Sequence, residues 1–422
     1  MSAAETIRDP SAETRPDERA VRSRPARLRP IRVLLISHTC QSETEGQPKA
    51  ERLAEMADIR LKVITPDRWK HYGQWRKVDQ NQRALRGNVS PERVRWPWVG
   101  PAQFYLHWYP RLKRILQEFR PDVIDLWEEP WALVSAHACR LRNRLLPEAR
   151  IVSETEQNID KLLPFPFERF RTYTLQNADW VVGRNAEAIE VVRARGYRGP
   201  ADVVPNAVDA ELFRPVDRAQ CRSELSVDGF VVGYAGRIVE EKGIADLIDA
   251  LSLCPERVNL VLVGSGVAQP LLQARAERLG IGARVRFLGN RPLEQLPRVM
   301  NALDVLVLPS RTTARWKEQF GRVIIEAQAC AVPVIGSISG AIPEVIANAG
   351  RIVPERDPAA LAAAISELAH NPSLARQLGD AGRERVEQSY TWQRVAERMA
   401  DIYRSVVEAP RQTTRRRPKT PQ

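Results

Sequence analysis

The stretch Phe230-Val-Val-Gly-Tyr-Ala-Gly-Arg-Ile-Val-Glu-Glu-Lys-Gly-Ile-Ala-Asp-Leu-Ile-Asp-Ala-Leu251 joins two different hydrophobic patterns. Its start is rich in β-branched residues, which predicts a buried strand. Its end repeats apolar residues at three- and four-residue spacing, which predicts an amphipathic helix on Ile244, Leu247, Ile248 and Leu251. The unit is therefore a strand, a glycine-containing turn and a helix, as expected for an α/β domain.

The turn between these two elements carries candidate binding chemistry. Glycines such as Gly236 and Gly243 let a backbone approach a ligand closely, and a helix start offers unpaired N–H groups to an anion. Arg237 and Lys242 add two cations, of which the guanidinium can bind phosphate with two hydrogen bonds. A tight turn with two solvated cations explains the same residues, so the turn alone leaves both interpretations open.

The same rhythm of strands and helices runs along both halves of the chain. It predicts an α/β fold of two Rossmann-like, doubly wound domains that face a central cleft, since ligands bind at the carboxyl ends of parallel strands. The predicted strands of the first half are 31–37, 61–65, 122–127, 151–153, 180–182 and 202–204. Those of the second half are 230–234, 259–263, 285–288, 305–308 and 332–335.

Turn-forming residues between Pro205 and Pro215 mark the join of the two halves. We predict a first domain over 31–208, a second over 209–390, and a last helix over 391–408 with Val395, Met399, Ile402 and Val406 on one face. The extensions 1–30 and 409–422 are rich in charge and poor in apolar residues, which predicts disorder.

The composition argues against several classes of protein, namely secreted, membrane-spanning, disulfide-rich and zinc-binding ones. The 422 residues are 43% apolar, their mean hydropathy is −0.37, and neither a signal-peptide core nor a spanning apolar stretch is present. Five scattered cysteines argue against a disulfide scaffold or a zinc site, and favour a cytoplasmic setting. The net charge of +12 is compatible with a nucleic acid, an anionic lipid or an anionic substrate as partner. It is equally explained by an Arg-rich proteome, in which case it indicates no partner.

A second signal is Glu318-Gln-Phe-Gly-Arg-Val-Ile-Ile-Glu326, which follows the strand 305–308. Eight residues of helix rotate by about 80°, so the two acids would not share a helix face. They can meet one ligand only if Glu318 lies in the loop before the helix. The pair Phe320-Gly321 fits such a break.

Ordered landmarks along residues 31–403 resemble the retaining glycosyltransferases of family 4, which have the GT-B fold. They are Pro205-Asn206-x-Val208-Asp209, Gly236-Arg237-x4-Lys242-Gly243, Val263-Gly-Ser-Gly266, Val285-x-Phe287-x-Gly289, Asp304-Val-Leu-Val-Leu-Pro-Ser310, the E-x7-E pair and Gly340-Ala-Ile-Pro-Glu344. The resemblance implies a last helix that crosses back to the first domain. It also implies transfer of a hexose-type sugar from a nucleotide-diphosphate sugar, UDP- or GDP-linked, with retention of configuration. The acceptor would be a glycan, a lipid-linked molecule or a small molecule.

The resemblance also suggests roles for individual residues. Arg237, Lys242 and the backbone at Gly236 would neutralise the departing diphosphate, and Glu318 with the backbone at Phe320 and Gly321 would hold the transferred sugar. Glu326 would bind the ribose, and Phe287 and Leu288 would meet the nucleobase. The chain contains no D-x-D, the pair through which many transferases hold a metal-bound donor, so we expect metal-independent catalysis without a cofactor.

The acceptor side is less well marked. Family members often place a histidine after the third strand, where this chain has Trp127-Glu128-Glu129-Pro130, and His38 or Glu129 could replace it. The motif Glu154-x-x-Gln157-Asn158 after the fourth strand is a further cleft candidate, or equally a polar loop. Seven of ten tryptophans lie between Trp69 and Trp131, many beside cations, which suits a carbohydrate platform or an anionic membrane at the inner face, or simply a core.

Two competing functions remain at this level. Another GT-B activity, such as a sugar-nucleotide epimerase or a phosphorylase, would share parts of the same motifs. A nucleic-acid-binding protein would use the positive charge, but no nucleic-acid module is recognisable. We therefore expect no nucleic-acid partner.

Overall fold

The computed structural model describes residues 29–42, 44, 46–71, 74–77, 89–95 and 102–410. The predicted extensions 1–30 and 409–422 fall outside them, apart from 29–30 and 409–410. The first half contains β1 (Ile31–Ile36), β2 (Ile59–Pro66), β3 (Arg68–His71), β4 (Gln74–Lys77), β5 (Val89–Glu92), β6 (Val123–Leu126), β7 (Arg150–Thr155), β8 (Trp180–Gly183) and β9 (Ala201–Val203). Its helices are α1 (Gln47–Ala54), α2 (Ala102–Leu106), α3 (Leu112–Phe119), α4 (Leu133–Leu145), α5 (Phe167–Asn177) and α6 (Ala186–Ala194).

The second half continues with strands β10 (Phe230–Ala235), β11 (Val258–Val263), β12 (Val285–Gly289), β13 (Val305–Leu308), β14 (Val334–Ser337) and β15 (Gly350–Val353). Its helices are α7 (Arg218–Leu225), α8 (Ile244–Leu253), α9 (Gln269–Arg278), α10 (Leu296–Ala302), α11 (Arg322–Ala329), α12 (Ile342–Ile346), α13 (Pro358–His370), α14 (Pro372–Ser389) and α15 (Trp392–Glu408).

Within the described residues these strands form two parallel sheets and one antiparallel hairpin, β3–β4. The first sheet has the order β5-β2-β1-β6-β7-β8-β9, and the second has the order β12-β11-β10-β13-β14-β15. In each sheet the chain runs outward from a central strand and then restarts on its other side. The switch points therefore lie between β1 and β6 and between β10 and β13, and ligands of doubly wound sheets bind there.

The predicted α/β architecture is confirmed, but edge strands were missed. Strands β5 and β15 lie at sheet edges. An edge tolerates the proline within β5 and the glycine that begins β15, so neither segment has a strong strand pattern. The predicted strand 332–335 begins two residues later, at Val334. Pro333 precedes it because proline cannot donate to a ladder.

The last helix returns to the first domain, as predicted. Val395, Met399 and Tyr403 of α15 are buried in one cluster with residues of β1, β2 and α1. The Tyr403 hydroxyl donates to Asp125 Oδ2 at 2.6 Å. The chain passes from the first domain to the second near Val208 and returns near Tyr390. Val208 N donates to Tyr390 O at 2.8 Å, so the two connecting segments lie side by side.

Candidate active site

The switch point of the second sheet is formed by loops that only glycine permits. Gly236 directly follows β10 with φ +145°, and Gly264 directly follows β11 with φ +122°. A Cβ on Gly264 would lie 1.9 Å from Gly236 O. Gly243 has φ +67°, and its Cβ would lie 1.9 Å from Pro309 O. These close approaches bring the start of α8 against the loop after β13.

This packing places Lys242 beside Glu318. Lys242 Nζ donates to Glu318 Oε2 at 2.6 Å, and Ser310 Oγ donates to the same oxygen at 3.0 Å. The Trp316 ring centroid lies 4.9 Å from Nζ. Both side chains are largely buried. The pair presents an ammonium and a carboxylate together, which suits a ligand that carries both phosphate and hydroxyl groups.

Arg237 is held more loosely. The Tyr234 hydroxyl donates to Arg237 O at 2.7 Å, which fixes its backbone. Its guanidinium lies 3.8 Å from Glu241 Oε1, and its side chain is 52% exposed. The exposed guanidinium can therefore turn to an anion at this edge of the sheet without leaving a buried partner unpaired.

The segment from Glu318 to Gly321 is a loop, as the sequence predicted. Helix α11 begins at Arg322, after Gly321 adopts φ +77° at the N-cap. The Phe320 ring is buried and packs edge-on against Tyr390, with 5.9 Å between the centroids. The aromatic ring therefore anchors the loop in the core, and the backbone at Phe320 and Gly321 is the part that can face a ligand.

Glu326 is a half-buried acid on α11. Within the described part of the chain its carboxylate makes no hydrogen bond or ion pair. Burial raises its pKa, and Arg322 opposes this shift. A carboxylate without a protein partner here is available to ligand hydroxyls, since an unpaired buried acid is otherwise unfavourable.

Phe287 and Leu288 lie on β12, one of the two edge strands of the second sheet. Phe287 pairs with Leu262, and Gly289 O accepts from Gly264 N at 2.9 Å. The far side of an edge strand leaves backbone donors and acceptors unpaired. Both residues are half-buried, so the strand end offers apolar contact together with backbone hydrogen bonds.

The switch point of the first sheet joins His38 to Glu128, a residue that the sequence analysis passed over in favour of Glu129. Glu128 Oε2 lies 2.7 Å from His38 Nδ1, and His38 N donates to Glu128 Oε1 at 2.6 Å. Burial alone would raise the pKa of Glu128, but His38 and His107 lower it to about 2. Trp69 stacks on His38 with 5.0 Å between the centroids. The switch-point rule applied to 37–38 and 127–128 would have identified this pair.

Glu129 faces the loop after β7 and not His38. Its carboxylate accepts from Thr155 Oγ1 at 2.7 Å and from Glu156 N at 2.8 Å. Burial raises the pKa of Glu129 to about 7, although these hydrogen bonds oppose the shift. Glu129 therefore braces two loops in the structure, and its place beside the transferred sugar stays a prediction.

The two neighbouring cleft candidates Gln157 and Asn158 also have different surroundings. Gln157 Nε2 donates to its neighbour Ile159 O at 3.0 Å. Asn158 is buried, and its Nδ2 donates across the domain boundary to Glu318 O at 2.9 Å. The structure thus brings Asn158, but not the Gln157 side chain, together with the second-domain site.

Below the first switch point lies a buried charged cluster that the sequence analysis missed. Lys49 and Arg184 both pair with Glu154, and Lys49 Nζ is 4.0 Å from the Trp127 ring centroid. Burial alone would raise the pKa of Glu154, but Arg184 and Lys49 lower it. Burial and the neighbouring Glu154 raise the pKa of Asp125. The cluster therefore ties α1 to β7 and to the residue that follows β8.

The tryptophan-rich region divides between core and surface. Trp69 and Trp127 are buried, Trp108 is exposed, and the side chains of Trp75, Trp96 and Trp98 lie outside the described residues. A more exposed apolar pair, Leu162 and Phe165, lies on the loop before α5. Among the described helices none combines the length and apolarity needed to cross a membrane. Nor do the described residues contain a cluster of three or more His, Cys, Asp or Glu arranged for a metal.

Comparison with known proteins gives two family matches that together follow the two sheets. Residues 50–212 match the model for Glycosyltransferase Family 4, and residues 217–385 match the model for Glycosyl transferases group 1. The D-inositol 3-phosphate glycosyltransferase of Streptomyces avermitilis is 36% identical over 253 residues, which cover 56% of this chain. That of Saccharomonospora viridis is 32% identical over 301 residues, which cover 67% of this chain. The matched regions span 53% and 63% of these two relatives.

Solved structures show the same fold. Anabaena HepE in complex with UDP superposes with a TM-score of 0.68 at 20% identity, covering 89% of this chain and all of that one. Sucrose-phosphate synthase from Thermosynechococcus elongatus gives a TM-score of 0.66 at 23% identity, covering 89% and 99%. The protein is a two-domain GT-B molecule. It belongs to the family-4 glycosyltransferases.

Proposed function

We propose that the protein transfers a hexose-type sugar from a nucleotide-diphosphate sugar to an acceptor, with retention of configuration and without a metal ion. The observation that carries this proposal is the Lys242–Glu318 pair, 2.6 Å apart at the second switch point and next to the exposed Arg237. The cations suit the diphosphate, and the carboxylate suits sugar hydroxyls. No epimerase or phosphorylase chemistry is favoured by a separate feature of the site.

Each group then has a distinct task. Arg237 and Lys242 stabilise the negative charge that develops on the leaving diphosphate, which is worth most where water is excluded. Glu318 orients the transferred sugar, Glu326 binds the ribose, and the end of β12 meets the nucleobase. The leaving phosphate itself takes the acceptor proton during front-face attack, so no protein nucleophile is assigned.

The acceptor enters from the first domain, beside His38. Because Glu128 is ionised and buried, it holds the imidazole in one orientation at the mouth of the first switch point. The names of the relatives make D-inositol 3-phosphate the first acceptor to test. An anionic acceptor also agrees with the net charge of +12.

A peripheral contact with an anionic membrane at its cytoplasmic face is the second part of the proposal. Leu162 and Phe165 are 78% and 77% exposed, and the neighbouring Lys161 and Arg169 are exposed as well. Apolar tips surrounded by cations are the combination that enters a lipid interface. A lipid-linked acceptor would then meet the first domain at the membrane surface.

The test of the transferase activity is product analysis with a donor labelled in its sugar. Incubation with acceptor should move the label to a new glycoside of unchanged anomeric configuration and release the nucleoside diphosphate, in EDTA as in magnesium. A labelled epimer of the donor, a sugar phosphate formed from inorganic phosphate, or an activity that chelation abolishes and magnesium restores would contradict the proposal.

A further inference from the structure

Four contacts across the domain boundary converge on the short segment Lys317–Gln319. Asn158 and Asn185 donate to the backbone carbonyls of Glu318 and Gln319. Gln319 Nε2 donates to Glu156 O at 3.1 Å, and Lys317 Nζ donates to Glu187 Oε1 at 2.6 Å. The first domain supplies these partners from the loops after β7 and β8 and from the first turn of α6. The first domain therefore contacts the backbone of Glu318, whose side chain pairs with Lys242.

Asn158 is the member of this set whose side chain contacts the Glu318 backbone directly. Its residue is 2% exposed, and its Nδ2 is shared between Glu318 O at 2.9 Å and Glu187 Oε2 at 3.1 Å. From the second domain the same Glu318 carbonyl accepts from Ala341 N at 3.0 Å. A Cβ on Gly340 would lie 2.0 Å from this oxygen, so the second domain also packs tightly around the Glu318 peptide.

The Glu318 peptide is thus fixed from both domains at once. With the domains closed, its carbonyl has two donors, and its carboxylate is fixed by Lys242 and Ser310. Separation of the domains would remove the Asn158 donor and leave Ala341 N, which lies within the same domain as Glu318. A hydrogen bond of this kind favours the conformation in which it forms. Small displacements of a group that orients a substrate reduce its contribution strongly.

We propose that Asn158 is a positioning residue for the donor sugar, which couples domain closure to the orientation of the Glu318 carboxylate. The inference rests on the proposed donor site and adds to it a residue of the opposite domain. Binding of the diphosphate depends on Arg237 and Lys242, which belong to the second domain alone. Binding of the sugar depends on Glu318 and hence on Asn158.

The test compares two ligands of the full-length chain by isothermal titration: a nucleoside diphosphate and its hexose-linked form, chosen from the uridine, guanosine and adenosine series. In Asn158→Ala and in the isosteric Asn158→Asp, which lacks the donor, the sugar nucleotide should bind about tenfold more weakly. The affinity for the nucleoside diphosphate should stay within twofold. Asn185 is unsuitable for this test because its Oδ1 also caps α6 through Ala188 N.

Glu344→Ala is the matched control. It removes another hydrogen bond across the boundary, from Ala186 N to Glu344 Oε2 at 3.0 Å, without touching Lys317–Gln319. Both affinities should be unchanged in this variant. Equal weakening of both ligands in the Asn158 variants, or no change in sugar-nucleotide affinity, would overturn the proposal. Absence of binding of both ligands to the unmodified protein would instead overturn the donor site itself, and the inference with it.

Discussion

At the scale of single residues, the donor site depends on one ammonium held by one carboxylate. Charge builds on the leaving phosphate as the glycosidic bond breaks, so Lys242 acts mainly in the transition state, and its loss lowers kcat more than it raises KM. We expect Lys242→Ala to reduce kcat by about 10²–10³-fold, comparable with the loss of one oxyanion donor. The exposed Lys113→Ala should keep wild-type kinetics. A folded Lys242→Ala enzyme with near-normal kcat at saturating donor would contradict this role.

Glu326→Gln tests the second acid by a different kinetic signature. If Glu326 binds the ribose equally in ground and transition states, the substitution raises the donor KM and leaves kcat near normal. Because Glu326 is half-buried, a melting curve must accompany the kinetics. A large fall in kcat with unchanged KM in a variant of normal Tm would assign Glu326 to the chemical step.

The adjacent acids Glu128 and Glu129 should give opposite pH dependences of stability. A carboxyl whose pKa is lowered to about 2 stabilises the fold above its unfolded pKa near 4.5, and this contribution is lost as pH falls towards 2. A carboxyl whose pKa is raised to about 7 destabilises the fold increasingly as pH rises from 4.5 to 7. The Tm difference between wild type and Glu128→Gln should therefore shrink below pH 4.5. The Tm of Glu129→Gln relative to wild type should rise between pH 4.5 and 7. A Tm difference from wild type that does not change with pH in either variant would contradict these assignments.

At the scale of elements, α15 is a second-half helix that completes the first domain. Met399 is fully buried there, whereas Arg398 is exposed. Removal of a buried side chain of this size costs about 2–5 kcal/mol. Met399→Ala should therefore lower the free energy of unfolding by that amount in a denaturant titration, and Arg398→Ala should change it by about 0.5 kcal/mol or less. Equal effects of the two would show that α15 does not pack on the first domain.

The segment from Lys161 to Arg169, which is the loop before α5 and the first residues of that helix, provides the test of membrane contact. Vesicles with anionic lipid should bind the protein at low salt and release it at high salt, because charge attraction to the surface is screened. Leu162→Ser with Phe165→Ser should weaken binding, while Leu271→Ser, another exposed apolar position, should not. Equal binding of the unmodified protein to neutral and anionic vesicles would remove the membrane from the account.

At the scale of the whole molecule, the sequence predicted what local patterns encode. The buried parallel strands, the break before Arg322 and the returning helix each leave a signature of glycine or hydrophobic periodicity. The edge strands β5 and β15 do not, because one contains a proline and the other begins with a glycine. The pairing of His38 with Glu128 and the reach of Asn158 to Glu318 join residues 90 and 160 positions apart. Only the arrangement of strands within the sheets and of the domains around the cleft brings these residues together.

The central claim, that the cleft binds a nucleotide-diphosphate sugar through Lys242 and its neighbours, is tested most directly by equilibrium titration of UDP-, GDP-, ADP- and TDP-linked hexoses in EDTA. The account predicts saturable binding of at least one of them to the full-length chain, at least tenfold weaker in Lys242→Ala and unchanged in Lys113→Ala. A ligand at 100 times its Kd should also stabilise the fold by about 2.7 kcal/mol. No saturable binding of any member of the series, or binding that Lys242→Ala leaves intact, would contradict it.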